Sequence, residues 1–296
     1  MLAWSEAGAL CAADPARPGE CCAWYHRPWP LFRALGLVSS AALHQHALGV
    51  SLAAAARAGA QRVLVCGSAD EALPALVVAA FAAAGVEPAL SMLDRCRTPL
   101  RLGAQYAAHH GIALETCHAD ILEFEHRAAF DLVCTHAFLG YFDPAARAQL
   151  LARWYALLRP GGVVVTTQRL RAIGDGRLVG FDAAQRADFV ARARAAWAAL
   201  GPAARAALPD IDDATVATAA AGFAARFASH PAGDAAHLAA AFTRAGFVLD
   251  TFAVIAGPAP AAGDSAPSVP GAGAYAQVVA RRPRRPCSRP IVPVPW

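Results

Sequence analysis

Short apolar runs alternate with longer helical stretches through the middle of the chain. Each run consists mainly of Val, Leu, Ile and Phe, and a turn with glycine or polar residues follows it. Continuous apolar strands separated by helices are typical of a parallel sheet that is covered on both faces. The strands predicted in this way cover residues 62–66, 88–93, 112–117, 130–135 and 163–167.

Helices and a final pair of strands are predicted around this alternation. The helices cover residues 31–59, 71–84, 99–110 and 144–158. Residues 182–245 are also predicted to be helical, and the strands at 246–255 and 274–280 suit an antiparallel pair at the sheet edge. Right-handed crossovers then give an α/β fold with a doubly wound, mostly parallel seven-stranded sheet and an antiparallel edge strand.

The pattern divides the chain into five parts. The α/β core is interrupted by the helical stretch, which we expect on the substrate side, and residues 256–273 are predicted to be a flexible loop rich in Pro, Gly, Ala and Ser. The parts are an N-terminal segment and helix that could form a lid (1–60), the core (61–181), the helical insertion (182–245), the last two strands (246–280) and a disordered basic tail (281–296).

Composition narrows the class of protein further. Five arginines in the tail account for the net charge of +4, so the rest of the chain is close to neutral. We therefore expect no nucleic-acid partner. No stretch has the pattern of a membrane span or a signal peptide, which favours a cytoplasmic location. The eight cysteines are scattered without a Cys-x-x-Cys pair, so we expect small buried thiols and no metal site.

Polar residues follow the first three predicted strands. Gly67-Ser68-Ala69-Asp70 opens a helix, where glycine allows close backbone approach and free N–H groups can hold a charged end of a cofactor. Asp94 follows the second strand and can accept hydrogen bonds from both hydroxyls of a ribose. Asp120 follows the third strand and can accept a bond from an adenine amino group, with Ile121 or Leu122 covering the ring.

The order of these pieces resembles the class I S-adenosylmethionine (SAM) dependent methyltransferases from about residue 63 to 167. The resemblance is carried by Val63-Leu64-Val65-Cys66-Gly67, Met92-Leu93-Asp94, Ala119-Asp120-Ile121-Leu122, Phe130-Asp131-Leu132-Val133 and Leu157-Leu158-Arg159-Pro160-Gly161-Gly162. Residues 94–100 and 134–142 are similar to a bacterial subgroup of this class. The resemblance implies a Rossmann-like methyltransferase fold, SAM as cofactor and transfer of a methyl group to an acceptor, which we expect to be a small molecule.

The resemblance also implies a set of site residues. The cofactor is expected to contact Gly67, Ser68, Ala69, Asp70, Asp94, Arg95, Asp120, Ile121 and Thr135. His136 is the candidate base beside the acceptor, Tyr141 could orient it, and an aromatic segment with Tyr25, His26, Trp29 and Arg33 could close over the cofactor.

Each of these residues also has an ordinary structural interpretation. The family usually has Gly-x-Gly-x-Gly after the first strand, whereas this chain has Gly67-Ser68-Ala69-Asp70-Glu71, so Asp70 or Glu71 either binds the cofactor's ammonium group or caps a helix. Asp94 could be a solvated turn residue, Asp120 a helix cap and His136 a loop residue. The aromatic segment could pack on the sheet.

Two other function classes remain open at this stage. A nicotinamide-dependent oxidoreductase shares the acid after the second strand, but it would need Gly-x-Gly-x-x-Gly, and the chain has no lysine for a Tyr-x-x-x-Lys pair. A SAM-binding module without catalysis is kept open by the altered glycine loop. The oligomeric state is not predicted.

Overall fold

The computed structural model describes residues 2–11, 21–171, 177–208, 210–255 and 273–284. Within these residues the main sheet contains seven strands in the order β3-β2-β1-β4-β5-β9-β8. The strands are β1 (Arg62–Cys66), β2 (Ala89–Asp94), β3 (Leu114–His118), β4 (Phe130–His136), β5 (Leu158–Arg169), β8 (Val248–Ile255) and β9 (Tyr275–Arg281), and a separate two-stranded ladder pairs β6 (Val179–Gly180) with β7 (Ala228–Ser229).

Helices cover both faces of the main sheet and form a separate helical layer. Those before β4 are α1 (Leu2–Leu10), α2 (Ala23–His26), α3 (Trp29–Ala34), α4 (Gln45–Arg57), α5 (Ala72–Ala82) and α6 (Arg97–His110). Those after β4 are α7 (Pro144–Leu157), α8 (Ala183–Ala199), α9 (Pro202–Ala206), α10 (Asp213–Arg226) and α11 (Ala235–Arg244). Short 3-10 turns lie at Ala41–His44 and Leu139–Tyr141.

The topology confirms the predicted doubly wound α/β fold. Strands β1 to β5 are parallel, and the order reverses between β1 and β4, where the two halves of the sheet meet. The antiparallel pair at the sheet edge is also confirmed. Within it, β9 runs antiparallel to both β5 and β8, so it lies one position in from the edge.

Side chains of β1 alternate between two hydrophobic layers. Val63 and Val65 pack with helices α4 and α5, whereas Leu64 and Cys66 face the layer that contains Trp154 of α7. Successive side chains of a strand point to opposite faces, so a strand with both faces covered must be apolar throughout. This explains the unbroken apolar run in the sequence.

Asp131 has a structural role at the start of β4. Its carboxylate accepts the backbone N–H groups of Gln61 and Arg62 at 3.0 and 2.8 Å, and it forms an ion pair with Arg159. The Arg-Pro-Gly-Gly stretch at residues 159–162 therefore follows α7 and also supplies the ion-pair partner of Asp131. Its arginine contributes to the register of β1, β4 and β5.

The aromatic N-terminal segment packs against the helical insertion. Trp29 and Phe32 are buried with Phe189 of α8 and Phe223 of α10, and Phe32 meets both phenylalanine rings edge-on. These residues form one hydrophobic cluster, so residues 23–38 belong to a folded layer. Helix α11, which also falls in the predicted insertion, instead packs Leu238 and Phe242 on the main core.

Two stretches differ from the sequence prediction or lie outside the structure. The prediction of a single helix over residues 31–59 is wrong, because the helix is interrupted between α3 and the 3-10 turn. Gly36 adopts a left-handed φ of +69° there, which ends the first helix. Of the flexible loop predicted at 256–273 and the tail predicted at 281–296, residues 256–272 and 285–296 lie outside the described residues. Across the described residues, no helix combines the length and the apolar character that a membrane crossing requires.

Candidate active site

Two adjacent cavities open at the carboxyl ends of the parallel strands, next to the point where the strand order reverses. In an open α/β sheet this is the place where ligands bind. The larger cavity measures about 310 Å³ and the smaller about 100 Å³. Both cavities share the lining residues Tyr25, Gly67, Ala69, Tyr141 and Phe227. The two cavities therefore adjoin at these five residues.

Asp94 ends β2 and lines the larger cavity. Its Oδ1 atom accepts the backbone N–H of Cys96 at 2.7 Å, which fixes the orientation of the carboxylate. Burial raises the pKa of the Asp94 carboxyl to about 7, although the neighbouring His26 and the N–H of Cys96 act in the opposite direction. An ionised carboxylate has about four acceptor positions, and a protonated one keeps part of this capacity. Asp94 can therefore accept bonds from ribose hydroxyls in either form.

Asp120 and Ile121 follow β3 and line the same cavity. The Asp120 Oδ1 atom accepts the backbone N–H of Leu122 at 2.9 Å in a tight turn. Ile121 is 3% exposed and packs into the core beneath the cavity. The structure thus brings together the two carboxylates and the apolar side chain that the sequence placed after separate strands.

Gly67 forms a close turn between β1 and α5. It adopts a left-handed φ of +66°, and a Cβ atom at this position would lie 2.2 Å from ring atoms of Phe138. Both observations require glycine. Ser68 is buried and donates from its hydroxyl to the carbonyl of Asp70 at 2.6 Å, so the turn is held internally. Ala69 lines both cavities.

Asp70 is occupied by protein partners. Its carboxylate accepts the Trp29 indole N–H at 3.0 Å, pairs with Arg33 at 3.2 Å and accepts the backbone N–H of Ala72 at 2.9 Å. Arg33 also donates to Glu71 at 2.6 Å. Arg33 lines neither of the two cavities. It ties the N-terminal segment to the turn after β1, where two of the family's three glycines are missing.

The Asp70 ion pair leads to a prediction about stability. Replacing Arg33 with Met keeps the aliphatic stem but leaves a nearly buried carboxylate without its cation. We expect the free energy of unfolding to fall by about 2–3 kcal/mol, the size of a lost charge-assisted hydrogen bond. Urea unfolding measures the change. Arg101→Met removes the exposed pair with Glu6 and should cost about 1 kcal/mol or less. Equal losses in the two variants would contradict the role given to Arg33.

Aromatic residues of the N-terminal segment form one wall of both cavities. Tyr25 stacks against Trp29, Phe223 and Phe227, and its hydroxyl bonds to the Tyr141 hydroxyl at 2.8 Å. His26 and Trp24 line the larger cavity, and Trp29 lines the smaller one. The turn that carries Tyr141 is fixed by Arg147, which donates to the carbonyls of Leu139 and Phe142.

His136 ends β4 and lines the smaller cavity. Its Nδ1 atom lies 2.6 Å from the Thr167 hydroxyl, while its Nε2 atom is buried with no hydrogen-bond partner among the described residues. Burial and the neighbouring charge of His44 lower the pKa of His136 to about 3. The imidazole is therefore neutral at physiological pH. Tyr275 stacks over its ring and bonds to Ser39.

Two arginines place positive charge at the smaller cavity. Arg169 ends β5 and Arg171 follows it, and both line this cavity beside Gln168 and His230. Burial and the charge of Arg169 lower the pKa of Arg171. Sequence analysis missed these arginines. The only sequence signal was their position after the fifth strand, opposite the place where an acceptor would sit.

Two other predicted cofactor contacts have different outcomes. Arg95 lies in the lining of the larger cavity. Thr135 is fully buried and lines neither of the two cavities, because alternation along β4 turns His136 toward the smaller cavity and Thr135 away from it. We therefore leave Thr135 out of the proposed site.

A cluster of sulfur and nitrogen ligands lies beside the larger cavity. Cys11, Cys22, His26 and Cys96 have ligand atoms within 4.8 Å of one another. The sequence predicted no metal site because it has no Cys-x-x-Cys pair. The signal that could have found the cluster is the spacing of Cys22 and His26, four residues apart and thus on one face of a helical turn.

The sheet order and the site resemble those of one class of protein. Strands β1 to β5 are parallel, and β9 runs antiparallel between β5 and β8. This order, with a glycine turn after β1 and acids after β2 and β3, is similar to that of the class I SAM-dependent methyltransferases. Residues 63–162 match the family model described as a methyltransferase domain. Over these 100 of the 296 residues the chain is similar to a methyltransferase domain.

Solved structures with similar backbones include several methyltransferases. The 1,6-didemethyltoxoflavin-N1-methyltransferase of Burkholderia thailandensis, with bound 1,6-didemethyltoxoflavin and S-adenosylhomocysteine, is 18% identical over 81% of this chain and 78% of that one, with a TM-score of 0.48. The SAM-dependent methyltransferase SibL is 21% identical over 91% of this chain and 61% of that one, with a TM-score of 0.47. No match to a curated protein was found.

Proposed function

We propose that this protein transfers the methyl group of SAM to a small-molecule acceptor that carries an anionic group. The observation that carries the proposal is the meeting of Asp94, Asp120 and Gly67 around one cavity that shares a wall with a second cavity lined by Arg169 and Arg171. The first cavity has the size and polarity for a nucleoside cofactor, and the second has room for part of a small acceptor.

The larger cavity offers donors and acceptors that fit SAM. Asp94 would accept the ribose hydroxyls, Asp120 the adenine amino group, and Ile121 would cover one face of the adenine. The turn at Gly67 would lie beside the methionine end. Asp70 is bound by Trp29, Arg33 and Ala72, so it supports the turn, and we do not assign the ammonium group to it.

The shared wall is where transfer would take place. SAM supplies a methyl group that is already activated by its positive sulfur. The chain therefore needs to align the acceptor for in-line attack and to keep water out, and orientation alone can lower a barrier by roughly 7–11 kcal/mol. Tyr25 and Tyr141 line both cavities at this place, and a hydrogen bond joins their hydroxyl groups. Phe227 provides an apolar surface beside them.

The smaller cavity suggests the acceptor's charge. Arg169 and Arg171 would bind a carboxylate or a similar anion, since guanidinium groups match its geometry. The cavity of about 100 Å³ is small compared with sites that enclose drug-sized ligands, so the acceptor is expected to extend into the shared region.

We assign His136 a hydrogen bond from the acceptor, because it lines the smaller cavity and its Nε2 atom has no hydrogen-bond partner among the described residues. With a pKa near 3, it is far from the value near the operating pH that suits a general base. This revises the expectation of an ordinary imidazole with a pKa near 6.5. The geometry instead favours His136 as a neutral group that orients the acceptor through Nε2.

The His136 interpretation predicts a particular pH profile. His136→Gln and His136→Ala should each lower the single-turnover rate by less than about 10²-fold, the lower bound of typical general-base effects. Neither variant should remove a limb of the rate profile between pH 6 and 8. Rates measured at several pH values test this expectation. A larger loss that also removes a limb near neutrality would restore the base role.

Replacing Asp120 with Asn separates cofactor binding from the structural role of Asp120 in its turn, where the helix that it was expected to cap does not form. The amide keeps an oxygen for the N–H of Leu122 but loses the charge, so we expect weaker SAM binding at an unchanged melting temperature. The loss should be about 1 kcal/mol, or roughly fivefold in Kd. Calorimetry measures it. Equal affinity and equal melting temperature would leave Asp120 as a turn residue only.

The activity itself is tested with labelled SAM. The chain should transfer label to members of a panel of small carboxylate-bearing acceptors, with Arg169→Met raising KM for the acceptor more than for SAM. Neutral and cationic acceptors of similar size serve as the comparison. SAM binding without transfer to any panel member would favour the binding module without catalysis. Tight NADH binding without SAM binding would reject the proposal.

A further inference from the structure

The ligand cluster beside the larger cavity draws on four separate places in the chain. Cys11 follows α1, Cys22 precedes α2, His26 ends α2, and Cys96 precedes α6. Cys11 and Cys96 are each 5% exposed and His26 is 8% exposed. Scattered in sequence, the four side chains converge only because α1 packs on α6 and α2 lies over the end of β2.

The spacing of the four side chains matches a tetrahedral metal site. The Sγ atoms of Cys11 and Cys22 lie 3.4 and 3.5 Å from Sγ of Cys96, and Cys11 Sγ lies 3.6 Å from His26 Nδ1. With zinc–sulfur bonds of about 2.3 Å and zinc–nitrogen bonds of about 2.0 Å, the edges of a tetrahedron are roughly 3.5–3.8 Å. These three distances lie within about 0.4 Å of such edges, and all four ligand atoms lie within 4.8 Å of one another.

We propose that Cys11, Cys22, His26 and Cys96 bind one structural zinc ion. Three thiolates and one imidazole in a tetrahedral arrangement are a donor set that zinc prefers, and Cys₃His sites are closed structural sites. On binding, the three thiols lose their protons to solvent, and His26 coordinates through Nδ1 as a neutral ring. The complex then carries a net charge of −1.

A buried hydroxyl supports one of the proposed ligands. The Thr98 Oγ1 atom is 2.9 Å from Cys11 Sγ, and Thr98 is 1% exposed. A hydroxyl in this position can donate to the thiolate and offset part of its charge. Outer partners of this kind orient metal ligands and tune their affinity.

A disulfide accounts for the cluster less well. A disulfide joins two sulfur atoms at about 2.0 Å, whereas the cluster holds three sulfur atoms at 3.4–3.5 Å from their nearest neighbour, with a histidine nitrogen beside them. One bond would leave a thiol over and would give His26 no role. A single metal ion uses all four groups.

The zinc ion would join the N-terminal segment to the cofactor site. Cys96 lies two residues after Asp94, and Cys22, His26 and Cys96 all line the larger cavity. The metal would thus fix α1 and α2 against the turn that carries the ribose-binding candidate. This role is independent of the methyl acceptor and of turnover.

Metal analysis of the reduced, untagged full chain tests the site. We expect about one zinc per chain, retained in Cys21→Ser and lost in Cys22→Ser. Cys21 is an exposed neighbouring thiol outside the cluster, so it is a matched control. Equal zinc in the two variants, or a disulfide between cluster cysteines in the chain purified under reducing conditions, would overturn the proposal.

A second measurement covers the case in which Cys22→Ser does not fold. The intact chain is stripped with a chelator and titrated with Co²⁺ alone. A thiolate-to-cobalt charge-transfer band with tetrahedral d–d absorption, displaced by an equivalent of Zn²⁺, is expected. A spectrum of aqueous Co²⁺, with no zinc in the purified protein, would show that the four side chains bind no metal.

Discussion

Replacing Asp94 with Ala is expected to weaken SAM binding by about 10- to 150-fold. The carboxylate is held at the end of β2 by the N–H of Cys96 and faces the larger cavity, where it would accept the ribose hydroxyls. A hydrogen bond to a charged group contributes about 1.5–3 kcal/mol, and each 1.4 kcal/mol corresponds to a factor of ten in Kd. Calorimetric titration of SAM and S-adenosylhomocysteine measures the loss for both ligands.

Asp94→Asn is the matched control for local structure. The amide oxygen can still accept from Cys96, so the turn should survive and the melting temperature should match the parent chain. Affinity for SAM should still fall, because the amide offers fewer acceptors and no charge. Unchanged affinity in both variants would reject Asp94 as the ribose-binding residue.

Gly67→Ala is expected to lower the free energy of unfolding by about 2–5 kcal/mol and to weaken cofactor binding as well. A left-handed backbone costs an L-residue roughly 1–2 kcal/mol. The new methyl group would also meet the Phe138 ring at 2.2 Å, and displacing a packed side chain costs about 1–3 kcal/mol. Because Phe138 lines the larger cavity, its displacement should change the cavity's shape.

Gly85→Ala isolates the backbone contribution to this effect. Gly85 has nearly the same left-handed φ of +71°, but a Cβ atom there meets nothing within 4 Å. It should therefore lose only about 1–2 kcal/mol and leave SAM affinity unchanged. In a Phe138→Ala background, Gly67→Ala should approach the cost of Gly85→Ala. Equal effects of the two glycine substitutions in the parent chain would show that contact with Phe138 is unimportant.

Most of the sheet could be predicted because strands that are buried on both faces consist of continuous apolar residues, which are visible in the sequence. Val63 to Cys66 is apolar throughout since its alternate side chains pack against different helix layers. The acids after β2 and β3 were predictable for a related reason. Parallel strands end at one edge, so Asp94 and Asp120 had to approach each other once the strand order was known.

The parts of the site that sequence analysis missed depend on contacts between distant segments. Nothing local shows that Cys11 and Cys96 meet, because 85 positions separate them and only packing of α1 on α6 joins them. The same holds for Arg33 and Asp70, whose pairing replaces an expected cofactor contact. The lowered pKa of His136 likewise depends first on its burial and then on the neighbouring His44, which lies far away in sequence.

A crystal structure of the chain with S-adenosylhomocysteine tests the central claim most directly. The account predicts the nucleoside in the larger cavity, with the ribose hydroxyls within hydrogen-bond distance of Asp94, the adenine amino group at Asp120 and the sulfur atom near the wall shared by Tyr25 and Tyr141. A ligand bound elsewhere, or a nucleoside in the larger cavity without contact to Asp94, would contradict it.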